Sequence, residues 1–435
     1  MGDSVQVVSP SYRRDVQERE EVGQFEPDTW LLRLLRPLAA PRVAVLVAFL
    51  VYLVRAWLGR EGLRHTGSAY FNFLADAFLH GQTSLRLPTE NMIDLVDYGG
   101  RLYFYWPPFP ALFVLPLVAL FGVGVSDVAY TVVLGAAVIG LIAKLLADLD
   151  RTGIAPLGVE RRALLVATSA FGTVLLILAP SAGAWHSAQI IGLGCVLLAA
   201  IAAIRVAGWP GYLLVGLALA CATGTRITLV FNGIWLAYFM LARDRHRPLR
   251  QLLLMASVGL APVLATLALL GWYNAARFGS PFETGLTWQI IPDPVLPDFL
   301  AYGQFDLRYI PRNLYYHFIG YTLFTDARWK GGGLFWMTPV LLGAPYALWW
   351  ARANRLTWAL LLSCVAMYVP IVTYISPGGL TFGPRYLLDM MVPLLILTAL
   401  GIRRWRIDIL QVLFIVSCAT YVLGSIMWRM MIVWW

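Results

Sequence analysis

The stretch Trp235-Leu236-Ala237-Tyr238-Phe239-Met240-Leu241-Ala242-Arg243-Asp244-Arg245-His246-Arg247-Pro248-Leu249-Arg250-Gln251-Leu252-Leu253-Leu254-Met255 sets a tight knot of charge between two apolar runs. The runs reach back to Ile227 and on to Trp272, close to the roughly 20 residues needed to cross a bilayer. Arginine is retained on the cytoplasmic side of such turns, so the knot reads as an inner loop between two membrane helices.

Working outward, similar apolar runs occur at 42-58, 128-147, 163-179, 189-206, 210-224, 333-351, 356-375, 386-402 and 407-427. With 227-242 and 251-272 they make about eleven expected spans. With the N-terminus inside, Arg151, Arg161 and Arg162, then Arg205, then the 243-250 cluster, then Arg352 and Arg355, then Arg403, Arg404 and Arg406 all fall on inner loops. A full crossing by Pro108 to Phe121 would move every later cluster outside, so that run is expected as a re-entrant or interfacial helix. Two long outer loops follow, 59-127 and 273-332. Both are rich in aromatic residues, proline and glycine, as suits structured loops rather than linkers. Residues 1-41 form an expected cytoplasmic segment, and Trp30 to Pro37, with bulky apolar residues and arginines at helical spacing, reads as a helix on the membrane surface.

Composition agrees. Of 435 residues, 59% are hydrophobic and 13% charged, more apolar surface than a water-soluble fold of this size would bury. The net charge of +9 is almost all arginine, Lys144 and Lys330 being the only lysines. No basic stripe with interleaved aromatics points to nucleic acid. The four cysteines lie in apolar runs without ligand spacing, so neither a disulfide nor a zinc site is expected. The polar stretch Tyr12 to Asp28 lacks the form of a cleavable signal. Gly331-Gly332-Gly333 lacks the lysine and hydroxyl of a nucleotide loop. No cofactor is expected, and a divalent metal is possible but not required.

Candidate chemistry gathers in the outer loops. Asp94 and Asp97, just before Trp106-Pro107-Pro108, are positioned as general bases at a water-membrane boundary, or else as solvated turn residues. Asp76 is a third acid, equally suited to an orienting salt bridge. Glu61 and His65 suit lipid headgroups. Arg226 and Arg385 are expected at membrane depth on the outer side, where a cation needs a partner. A guanidinium can hold a phosphate with two hydrogen bonds, whereas Arg385 could instead pair with Asp389 at helical spacing. His186 and Arg277 are further phosphate candidates, with Lys330 weaker. Tyr103, Trp106, Trp288 and Tyr386 are candidate stacking surfaces for a sugar or acceptor.

With these strings assembled, the chain resembles membrane glycosyltransferases of the C-type fold, the superfamily of protein O-mannosyltransferases and aminoarabinose transferases of lipid A. The resemblance covers the layout and several strings: Leu74-Ala75 with Leu79-His80-Gly81, Tyr105-Trp106-Pro107-Pro108, Asn274-Ala275-Ala276-Arg277-Phe278-Gly279-Ser280-Pro281, Gly333-Leu334-Phe335 with Pro339, and Gly383-Pro384-Arg385-Tyr386. It implies inverting transfer from a polyprenyl-phosphate sugar in a bacterial plasma membrane, with a loop aspartate as base and arginines on the lipid phosphate. It also implies a cavity opening outward between the long loops. The chain departs from the family at Gly67 and Ser68, where members carry an acid. The base must then come from elsewhere in the loop, or the chain is a non-catalytic subunit or lipid-linked-sugar binder. A transporter would require interrupted helices in related halves, and these are scarce.

Overall fold

The computed structural model describes residues 29-59, 62-293, 295-320, 332-378 and 381-432. Glu61, Lys330 and the stretch Tyr12 to Asp28 lie outside them. The described chain is predominantly helical, its sheet limited to one antiparallel hairpin, Leu95–Tyr98 paired with Arg101–Phe104.

Each expected span is occupied by helix. Six helices are long and apolar enough to cross a membrane singly: Asp127–Arg151, Gly183–Arg205, Leu249–Phe278, Arg355–Val372, Arg385–Ile402 and Ile407–Ile426. Two bent pairs raise this to 8. One is Gly158–Phe171 with Leu175–Ser181, bent by 46°. The other is Trp30–Ala39 with Pro41–Trp57, bent by 106°, so the segment read as a surface helix does run crosswise to the first span. The remaining expected spans are shorter: Gly208–Thr223, Asn232–Arg243 after a 3-10 turn, and the broken run Leu334–Met337, Pro339–Leu342 and Gly343–Trp350. The apolar run after Trp106 forms a helix over Phe109–Phe121, about 20 Å long at 1.5 Å per residue and too short to cross.

Lipid is the solvent for much of this surface. The most apolar stretch of Leu249–Phe278 is only 11% buried, with Leu253, Leu254, Leu260, Leu264, Leu269 and Trp272 all exposed. Such an apolar face is stable only in hydrocarbon, and the chain is an integral membrane protein. Between helices, apolar burial drives little association, so close backbone approach at small residues does the packing. A methyl on Gly216 would lie 2.0 Å from the Gly259 carbonyl oxygen, and one on Gly401 2.0 Å from that of Gly343. Glycine is required at both crossings.

The innermost helices are Asp127–Arg151, Gly183–Arg205 and Arg385–Ile402, with 67%, 72% and 89% of their most apolar stretches buried. Residues assigned above to outer loops cluster at one end of this core, and those assigned to inner loops at the other. Gly183–Arg205 shows this directly. Its first turns meet Asp94 and Arg385, while its last residue, Arg205, binds Asp148 near the opposite end of Asp127–Arg151.

Candidate functional site

Asp94 sits where the first loop enters the hairpin, in the left-handed backbone region (φ +67°) that aspartate tolerates better than most residues. The conformation is imposed from outside. The second loop lies beside Leu95–Tyr98 as a partial third strand: Val96 bridges Gln289, Asp94 N donates to Ile290 O at 3.0 Å, and Ile290 N to Leu95 O at 2.7 Å. The two long loops, distant in sequence, are thereby one piece of backbone at this acid.

Neutral groups hold its carboxylate. Trp185 Nε1 donates to Oδ2 at 2.8 Å and Gln289 Nε2 to Oδ1 at 2.5 Å. Gln289 is itself fixed by Gln304, whose backbone carbonyl accepts from Ile375 N at 2.8 Å. Burial pushes the Asp94 carboxyl above the usual aspartate range, opposed in part by the Trp185 bond, by the positive charge of Arg385 and by the Gln289 bond. A carboxylate raised in this way takes a proton more readily than a solvated one.

Arg385 supplies the facing charge. Its side chain is buried and donates through Nε to Gly378 O, its plane lies 4.9 Å from the Tyr386 ring, and its backbone carbonyl accepts from Gln189 Nε2 at 2.7 Å. Among the described residues no carboxylate lies within ion-pair distance of it. The alternative partner, Asp389, is taken by Arg226 at 2.9 Å and by the Thr228 hydroxyl at 2.6 Å. Arg226 also lies 5.1 Å from the Trp106 ring and 5.9 Å from Tyr386. Of the two arginines expected at this depth, Arg226 is therefore neutralised by a buried acid and Arg385 is not. His186, one residue beyond Trp185, stands within electrostatic reach of Arg385.

Three tyrosines complete the cluster. The Tyr105 and Tyr374 hydroxyls are both pushed well up, by burial first and then by neighbours including Asp94 and Tyr386. Tyr374 packs edge-on against Tyr386 at 6.0 Å.

The other candidates are placed elsewhere. Asp97 is exposed on the hairpin. Asp76 is buried against Arg86, which grips it through two nitrogens at 3.0 and 3.1 Å. Arg277 is a clamp between the loops: it donates to Phe104 O at 2.8 Å and Asn274 Oδ1 at 2.7 Å and stacks on Tyr273 at 3.8 Å. Tyr103 and Trp288 join Phe278 and Tyr98 in an aromatic cluster on the far side of the hairpin. Trp106 and Tyr386 border the arginines instead. Sequence reasoning missed Gln289, Gln304, Tyr374 and Asp127. Only adjacency to noted residues could have flagged the first, and nothing local marks the others.

Asp127 explains how the chain closes around Gly67 and Ser68. Its carboxylate accepts from Thr66 N at 2.8 Å, the Thr66 hydroxyl at 2.6 Å and Gly183 N at 3.0 Å. With those bonds made, it is a brace pinning the first loop to the start of Gly183–Arg205. The Ser68 hydroxyl accepts from Asn91 Nδ2 at 3.0 Å, three residues before Asp94. The segment that carries Asp94 thus packs on the position where the acid is lacking. No three His, Cys, Asp or Glu side chains among the described residues form a metal-ligand set.

No family model matches the chain, and no curated protein matches it. Two solved structures are similar. ArnT from Cupriavidus metallidurans in the apo state is 17% identical over 83% of this chain and 59% of its own, with a TM-score of 0.44. ArnT bound to undecaprenyl phosphate is 18% identical over 83% of this chain and 60% of its own, also at 0.44. The chain therefore spans about three-fifths of the length of the solved chains it matches.

Proposed function

We propose that this protein is a glycosyltransferase that moves a sugar from a polyprenyl-phosphate donor to an acceptor hydroxyl at the outer face of a bacterial plasma membrane, its N-terminus being cytoplasmic. The observation that carries the reading is the pairing of Asp94 with Arg385: a carboxylate held by neutral donors and an arginine held by a carbonyl, close enough to feel each other's charge but each without an ion-pair partner among the described residues. Opposite charges partly withdrawn from water and left apart are costly, and a ligand that supplies a proton to one and negative charge to the other would use both.

In the proposed step the acceptor O–H gives its proton to Asp94, and its oxygen forms a bond to the anomeric carbon as the bond from that carbon to the phosphate oxygen breaks. The configuration inverts. The electron pair of the broken bond leaves on the polyprenyl phosphate, whose growing charge Arg385 stabilises from a preorganised position. Arg226, already matched by Asp389, lies beside Trp106 and Tyr386 and adds little net charge. Trp106 and Tyr386 offer ring faces beside the arginines, suited to a sugar. The apolar faces of the peripheral helices suit the polyprenyl chain.

The test is transfer of labelled sugar from a panel of polyprenyl-phosphate donors to membrane extract, with the full chain in nanodiscs beside Asp94→Asn and Arg385→Ala. Transfer by the wild type that falls at least a hundredfold in both variants supports the reading. The absence of an acid at Gly67 and Ser68 favours one competitor, a non-catalytic subunit that binds the lipid-linked sugar. Saturable donor binding without transfer from any sugar would establish that competitor and end the enzymatic reading.

A further inference from the structure

At the opposite end of the core lies a second charged site, which the transfer chemistry does not use. A cleft of about 440 Å³ is lined by Pro41, Lys144, Ala147, Asp148, Asp150, Arg151, Arg162 and Arg205, a volume within the roughly 300–1,000 Å³ of small-molecule sites. Lys144 and Arg151 come from the last turns of Asp127–Arg151, Arg205 ends Gly183–Arg205, and Arg162 lies in the first turns of Gly158–Phe171. Asp127 and Trp185, which brace the loops, are near the other ends of the first two helices, so the cleft and Asp94 are separated by about 30 Å of helix. This distance puts the cleft at the other membrane surface.

Four cations face two carboxylates. Asp148 is fully buried and accepts from Lys144 Nζ at 2.5 Å, from Arg205 Nε and Nη2 at 2.6 and 2.9 Å, and from Arg151 Nη2 at 2.9 Å. Asp150 pairs with Arg162 at 3.0 Å while its Oδ1 accepts from the backbone N–H groups of Leu157 and Gly158. Glu160, on the adjoining helix, is engaged by Arg36 at 3.1 Å. Two positive charges are therefore in excess around a concave space, and Asp148 fixes Lys144 and Arg205 there in advance. The Arg151 side chain, 62% exposed, commits one nitrogen to Asp148 and keeps the rest of its fork available. Fixed guanidinium forks with spare donors match the oxygens of a phosphate, and basic pockets between helices at an inner membrane surface suit anionic headgroups.

We propose that this cleft binds a phosphate group, carried either by an anionic phospholipid headgroup or by a free phosphate ion. The full chain is reconstituted in phosphatidylcholine nanodiscs, and thermal unfolding is followed in two arms: with inorganic phosphate added, and with part of the lipid replaced by phosphatidylglycerol. Arg151→Gln and Arg151→Gln/Arg162→Gln are run alongside. The wild type is expected to unfold a few degrees higher in one arm, which identifies the source, and the increment is expected to shrink in the single variant and vanish in the double. Should the double variant fail to fold, the single variant decides alone, since its exposed side chain can be changed with little cost to stability. No increment in either arm, or an increment the variants retain in full, overturns the proposal. A retained increment would place the anion elsewhere, as Arg385 would take it, so this site and the transfer site fail separately.

Discussion

The two ends of the helical core treat carboxylates withdrawn from water in opposite ways, Asp148 being buried and Asp94 half-buried. At one end Asp148 is met by Lys144, Arg205 and Arg151 within 2.9 Å, and the cost of taking an acid out of water is offset by charge at contact distance. At the other, Asp94 is met by an indole and an amide, and the cation that faces it, Arg385, leans on a carbonyl. Arg226 and Asp389, close by, show that contact pairing is available at that end too. On the proposed reading, charges held apart beside a pair held together leave a ligand to complete the electrostatics, whereas the Asp148 cluster completes its own and only its surplus cations look outward.

The largest effect that distinguishes the ends is on turnover. Asp94→Asn keeps the size of the side chain and one acceptor but no longer takes a proton. Transfer should fall by about 10²–10⁴-fold, the range for loss of a general base, with saturable donor binding kept and stability changed by only about 1 kcal/mol. Asp148→Asn should invert that pattern. Leaving Lys144 and Arg205 without their counter-charge should cost toward the low end of about 3–5 kcal/mol, because those cations are 29% and 39% exposed, while transfer per folded molecule stays near wild type. Denaturant unfolding set beside the transfer assay reads both. Equal loss of turnover in the two variants would erase the contrast.

A smaller effect concerns pH. Trp185 N–H favours the charged form of Asp94, so Trp185→Phe should raise its carboxyl further and shift the acid limb of the rate profile to higher pH. Since the folded carboxyl already lies above its unfolded value, stability declines as pH rises from the ordinary aspartate range through that raised value, and Trp185→Phe should extend the decline upward. A rate profile that keeps its acid limb in Trp185→Phe would remove Asp94 as the titrating base.

The pattern of apolar runs and arginines made the helical membrane architecture legible, because in lipid both follow from length and charge alone. It also put Asp94, Arg385, Arg226 and His186 on one side, where they meet. What it left open was which charges touch. Arg385 and Asp389 are spaced as a helical pair, yet Asp389 lies in a 3-10 turn and reaches Arg226 across the core. Helix count was legible only coarsely, since Gly208–Thr223 and Ile227–Arg243 are apolar but short. The partners of Asp94 were illegible for a plainer reason: Gln289 arrives from a loop nearly two hundred residues away, and no local rule pairs them.

The smallest expected effect is also the one that separates two neighbouring acids. Asp94 and Asp97 are indistinguishable in sequence as bases, three residues apart in one loop, but their environments differ. Asp97 is exposed on a strand that pairs it with Leu102, and no neighbouring side chain among the described residues holds its carboxylate in the fixed position that a base requires. Asp97→Asn should therefore leave transfer within about twofold of wild type and stability within about 0.5 kcal/mol, as for a surface substitution. Measured beside Asp94→Asn in one nanodisc preparation, it controls for loop damage. Loss of transfer in Asp97→Asn with Asp94→Asn active would move the base to the hairpin face that carries Asp97 and leave the Trp185 and Gln289 contacts as scaffolding.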